Sequence, residues 1–137
     1  MKSINLSFLL LSLVVLLSGC TDTTNVNKDI IGEWSWAKET LVFFEDGTFE
    51  HYDTMYSNTL DNKSYCLTSG TYTEGSENTF LLQMTNSNCE RRIGLKKTVA
   101  LTDDKKGLCY TTPYCAAPSV KSSDTPYHLD EKGIQIK

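Results

Sequence analysis

The sequence predicts an all-β fold: a small antiparallel up-and-down β-barrel, with a β-sandwich as the alternative. Three observations point there. Apolar stretches are interrupted by charged residues and a glycine in "FFEDGTF", "TDDKKGL" and "LDEKGI", a grammar that sets hairpins at Gly47, Gly107 and Gly133. Short apolar runs recur about every ten residues, the rhythm of a meander. No window of about a dozen residues keeps apolar positions at helical spacing between start and stop signals.

In chain order, the first strand opens at Ile31-Gly32-Glu33-Trp34, and alternation puts Trp34 and Trp36 on one face. Leu41 to Phe44 and Thr48 to Tyr52 flank Asp46-Gly47, a pair suited to turn positions of positive φ. In "FEHYD", His51 shares a face with Phe49 and Asp53, and a surface or barrel-mouth position is expected for it. "SGTYTEGSENTFLLQM" sets Tyr72 before a turn at Glu74 to Asn78, with Phe80 and Leu82 beyond. "RRIGLKKTVALT" predicts a strand bulged at Gly94, whose Arg91, Arg92, Lys96 and Lys97 are expected to be solvated and to protect an edge. Tyr110 to Tyr127 holds all 3 prolines and reads as a long surface loop. Closure of the sheet is favoured because an open one leaves a sticky edge.

The chain begins Met1-Lys2-Ser3, runs through an apolar core from Phe8 to Leu17, and reaches Leu17-Ser18-Gly19-Cys20. A core of about ten residues is half what a spanning helix needs, so the pattern is that of a secretory signal. The last four residues resemble the lipobox of bacterial lipoproteins, in which Cys20 is lipidated and the preceding peptide removed. This implies a signal peptide at 1–19, a polar tether at 20–29 and a β-domain at 30–137. The implied address is the cell envelope, with the membrane as partner through acyl chains on Cys20. Thr21 rather than Asp after the cysteine leans toward the outer membrane in a Gram-negative source.

Loss of Lys2 with the signal leaves 12 of the 13 basic side chains against 17 acidic ones, so nucleic acid is an improbable partner. Setting Cys20 aside for lipid turns 5 cysteines into four: Cys66, Cys89, Cys109 and Cys115. Three pairings are open to them; Cys66 with Cys89 and Cys109 with Cys115 are favoured because each pair flanks one turn or neighbouring strands. Their spacing lacks paired C-x-x-C, and an oxidising compartment favours disulfides, so no metal or other cofactor is expected.

The order "IGEW" at 31–34, "FFEDGTF" at 43–49 and "GTY" at 70–72 resembles the lipocalin-like domains of small bacterial lipoproteins. That resemblance implies an up-and-down barrel whose closed end is plugged by Trp34. The sequence departs from lipocalins proper in having Asp104 after Thr102-Asp103 and no arginine after Arg92 to stack on the tryptophan. "SGTY" at 69–72 is also similar to the S-G-x-x-Y pattern of lysozyme-inhibitor lipoproteins, with the tyrosine one place early.

No grouping of catalytic type accompanies His51 or His128: H-x-x-H, H-E-x-x-H and G-x-S-x-G are all absent. A non-enzymatic envelope lipoprotein is therefore expected, binding a small apolar ligand or a protein. The alternative is an inhibitor or immunity-type lipoprotein that blocks an envelope hydrolase such as lysozyme. Trp34, Trp36, Tyr110, Tyr114 and Tyr127 are the candidate binding residues, since amphipathic rings suit barrel rims and interfaces.

Overall fold

The computed structural model describes residues 26–36, 38–54, 65–110, 118–129 and 135–136. Eight strands follow one another: β1 (Gly32–Ser35), β2 (Glu39–Phe43), β3 (Thr48–Asp53), β4 (Cys66–Glu74), β5 (Thr79–Ser87), β6 (Lys96–Leu101), β7 (Gly107–Tyr110) and β8 (Ser119–Ser123). Each pairs antiparallel with the next, and β8 returns to β1 to close an up-and-down barrel. β9 (His128–Leu129) and β10 (Gln135–Ile136) make a separate antiparallel pair.

The β2–β3 hairpin turns as the Asp-Gly signal requires, but only its glycine has positive φ. Gly47, at φ 81°, donates to the Phe44 carbonyl, while the Asp46 carboxylate accepts from the Thr48 amide at 2.9 Å. That is a three-residue loop ending in a left-handed residue. The β6–β7 hairpin also forms, yet Gly107 begins β7 and Lys105, at φ 58°, supplies the left-handed turn residue. The expected turn at Gly133, between β9 and β10, lies outside the described residues.

Two segments depart from expectation. Within the proposed loop from Tyr110 to Tyr127, residues Ser119–Ser123 form β8, the strand that closes the barrel. Its pattern is inverted relative to a usual strand: Ser119 is buried, donating to the Leu108 carbonyl, while Val120 is 69% exposed. The strand expected from Arg91 onward instead begins at Lys96, after a 3-10 turn at Glu90–Arg92 and Gly94 at φ 85°.

Alternation drives Leu41, Phe43, Phe49, Tyr72, Phe80, Leu82, Met84, Val99, Leu101 and Leu108 into one interior cluster with Trp34. Phe43 meets the edge of Tyr72 at 5.1 Å, and Tyr72 in turn meets Phe80 at 6.3 Å. Trp34 is fully buried, its Nε1–H donating to the Ile30 carbonyl at 2.7 Å. The Lys121 ammonium of β8 stands 5.5 Å from the Trp34 ring centroid, within cation–π range. Gly32 makes the β1–β8 seam possible: at φ 120°, a Cβ there would stand 2.2 Å from the Ser123 carbonyl oxygen.

Of the expected tether, residues 26–29 are joined to the barrel at this tryptophan end. Val26 packs on the core, Asn27 donates to Glu74 at 3.0 Å, and Asp29 pairs with Lys105. Residues 1–25, including the signal segment and Cys20, lie outside the described residues. The Cys66–Cys89 disulfide forms as expected, with Cα atoms 5.6 Å apart. Cys109 is disulfide-bonded as well; Cys115, its expected partner, is not among the described residues.

Candidate functional site

The end of the barrel opposite Trp34 is lined by polar side chains. The same alternation that sends Leu41 and Phe43 inward carries Glu39 inward, and it carries His51 and Asp53 in with Phe49. His51 and Asp53 are buried, 0% and 3% exposed, which excludes the surface alternative of the surface or barrel-mouth position expected for His51. The shared face was read correctly; Phe49 shows that it points inward. Arg92 is buried too, at 2%, which overturns its placement on a solvated edge strand. The 3-10 turn aims it under the barrel mouth, while its neighbour Arg91 is exposed.

These groups form one chain of hydrogen bonds. Arginine has only donors, so Arg92 Nη1 donates to His51 Nδ1 at 3.1 Å, which leaves the imidazole proton on Nε2. His51 Nε2 then donates to Glu39 Oε2 at 2.9 Å, and the Tyr110 hydroxyl donates to the same oxygen at 2.8 Å. Arg92 Nη2 pairs with the Asp53 carboxylate. Two carboxylates, one guanidinium and the nearby Lys97 ammonium make the assembly formally neutral. Lys97 stands 4.9 Å from the Tyr110 ring centroid, and Trp36 stacks on that ring at 5.4 Å.

Burial pushes the His51 pKa below its ordinary value; the bond to Glu39 opposes this, and Arg92 adds to it. Burial alone would raise Glu39, but the bonds from His51 and Tyr110 outweigh it and pull the carboxyl down to about 2. Burial raises the Tyr110 phenol, with the Glu39 charge adding to the effect, and burial beside Arg92 lowers Lys97. The relay is thus a neutral imidazole held between an ionised carboxylate and a guanidinium, with neither ring nitrogen left to act as a base.

No protein-family model, curated protein or solved structure matches this chain. The chemistry of the relay is therefore argued from its own geometry.

Ligand atoms of Glu39, His51 and Asp53 lie within 4.8 Å of one another, a spacing that could hold a metal ion. Arg92 bonds to two of the three, so a guanidinium already occupies the place a cation would take. The two histidines do not converge. His51 points inward from β3, whereas His128 is exposed and bonds Glu50 on the outside of that strand.

Of the candidate binding aromatics, the structure brings Trp36 and Tyr110 together beside the relay. Trp34 lies in the core at the other end, and Tyr127 stands before β9, outside the barrel. Tyr114 lies outside the described residues. Glu39 and Asp53 carried no sequence signal of a site, because a carboxylate at the end of a strand reads as solvated.

Proposed function

We propose that this chain is a non-enzymatic, lipid-anchored lipoprotein of the cell envelope that holds its partner on the outside of the barrel. The observation that carries this reading is the filled interior. Among the described residues, aromatic and aliphatic side chains occupy one half and the hydrogen-bonded relay the other, whereas a concavity of about 520 Å³ opens on the outer surface. The engagement of both His51 ring nitrogens, Nδ1 as acceptor and Nε2–H as donor, and the separation of the two histidines support a binding role rather than a catalytic one. The lipobox-like Leu17-Ser18-Gly19-Cys20 supports the anchor.

Purification of the lipidated protein from its own membrane, followed by mass spectrometry, tests this. The expected result is acyl mass on Cys20 and a stoichiometric envelope component without an apolar small molecule. An apolar ligand released only on unfolding would overturn the outer-surface reading, and an unmodified Cys20 would overturn the anchor. The disulfide at Cys109 favours one further reading, an inhibitor of an envelope hydrolase that presents the segment after β7. Failure to inhibit any of a panel of lysozymes would remove its lysozyme form.

A further inference from the structure

We propose that the outer face of β3, β4 and β5 carries a binding site for a neutral, hydroxyl-rich glycan, in a trough floored by β4. This deepens the outer-surface reading above, and rests on it, by naming the class of ligand. The concavity of about 520 Å³ extends into a second of about 300 Å³, the two sharing Glu50 and Ser69. Both are of a size that small-molecule sites use.

One wall is built by β9. The Glu50 carboxylate accepts from His128 Nδ1–H and from the Leu129 amide, each at 2.7 Å, and the His128 ring stacks on Phe44 at 4.6 Å. Both Glu50 oxygens are thereby engaged, so the trough does not present a bare carboxylate to its ligand.

At the other end stands Tyr65, stacked on Tyr52 with centroids 5.7 Å apart. Tyr52 backs the ring and holds it as a platform. Asn86 and Ser69 make no side-chain hydrogen bond among the described residues, and Asn88 uses only its Oδ1, accepting from the Leu67 amide at 2.8 Å. Amides and hydroxyls both donate and accept, the complement of sugar hydroxyl and N-acetyl groups.

Other ligand classes fit less well. Lysine and arginine are absent from the lining among the described residues, which argues against a phosphate, and Glu50, Thr68, Ser69, Asn86, Ser87 and Asn88 make much of it polar, which argues against a lipid. An extended peptide that joins a sheet needs a free edge, and β4 is paired on both sides, with β3 and with β5. A ring with an apolar C–H face and polar rim would instead lie on Tyr65 and meet Asn86, Asn88 and Ser69 through its hydroxyls.

The test is calorimetric titration of the full chain in detergent micelles with a soluble β-1,4-linked N-acetylglucosamine tetramer and, separately, a glucose tetramer. Saturable binding of at least one is expected. Tyr65→Ala and Asn86→Ala should each weaken it by about tenfold or more, with Tyr65→Phe and the outlying Leu81→Ala close to wild type. Far-ultraviolet circular dichroism and melting curves establish that each variant keeps its barrel.

No binding of either tetramer, binding indifferent to Tyr65→Ala, or Tyr65-dependent binding of an extended peptide alone would overturn the proposal. Those results leave the outer-surface reading standing, because co-purification tests it independently. Glycan binding lost in Trp36→Ala but kept in Tyr65→Ala would overturn both.

Discussion

Replacing Arg92 by Met removes a cation that sequence position alone would assign to the surface. Arg92 is 2% exposed, bonds His51 Nδ1 at 3.1 Å and pairs with Asp53, itself 3% exposed. Met fills much of the same space, so the main loss is electrostatic: a buried carboxylate without its cation and an imidazole nitrogen without its donor. Breaking a buried pair by removing one partner costs about 3–5 kcal/mol. Against a total stability of about 5–15 kcal/mol, that consumes a large share of what holds the domain folded. Urea unfolding with disulfides intact should therefore show a large fall in midpoint at an unchanged slope, whereas Arg91→Met, at an exposed site on the same turn, should change little. Pairing Arg92→Met with Asp53→Leu should recover part of the loss, since no uncompensated charge is then left inside. A loss below about 1 kcal/mol for Arg92→Met, typical of exposed pairs, would refute the buried relay.

Acid should weaken the fold in two stages. The folded pKa of His51 lies below its ordinary 6.5, so the stability tied to its neutral form is complete above 6.5 and is lost as pH falls below it. Glu39, pulled from 4.5 to about 2, adds a second loss as pH falls from 4.5 through about 2; a urea midpoint flat across the first range would contradict burial of His51. The Cys66–Cys89 bridge closes a loop of sequence separation 23 and should contribute about 3.5 kcal/mol, read as the difference in unfolding free energy between wild type and Cys66→Ala/Cys89→Ala. Gly32→Ala places a methyl 2.2 Å from the Ser123 carbonyl at an unfavourable φ and should cost at least about 1–3 kcal/mol, with amide exchange accelerated first in β1 and β8. Unaltered exchange in those two strands would show that the seam does not depend on the glycine.

The fold was legible where local chemistry and tertiary placement agree. Asp46-Gly47 between apolar runs is sufficient to set the β2–β3 hairpin, and Cys66 and Cys89 flank elements that pairing brings together. β8 was not legible because "SVKSS" sends its one large aliphatic residue outward and buries a serine, the reverse of the usual pattern. What makes it a strand is the ladder with β1, a partner far away in sequence. The relay escaped for a related reason. Glu39, His51, Asp53, Arg92 and Tyr110 come from four elements, and no segment contains enough of them to form a motif. Charged residues inside a barrel become intelligible only when their partners across it are known.

An even number of strands brings the chain out of a barrel at the end where it went in. Residues 26–31 approach β1 beside Trp34, and Ser123 leaves β8 next to Gly32, at that same end. Cys20 stands six residues ahead of Val26, a reach of no more than about 20 Å even fully stretched. With lipid on Cys20, as proposed, the barrel is held upright on a short leash: its tryptophan end faces the bilayer, its relay end points away, and the trough on its flank opens parallel to the membrane surface.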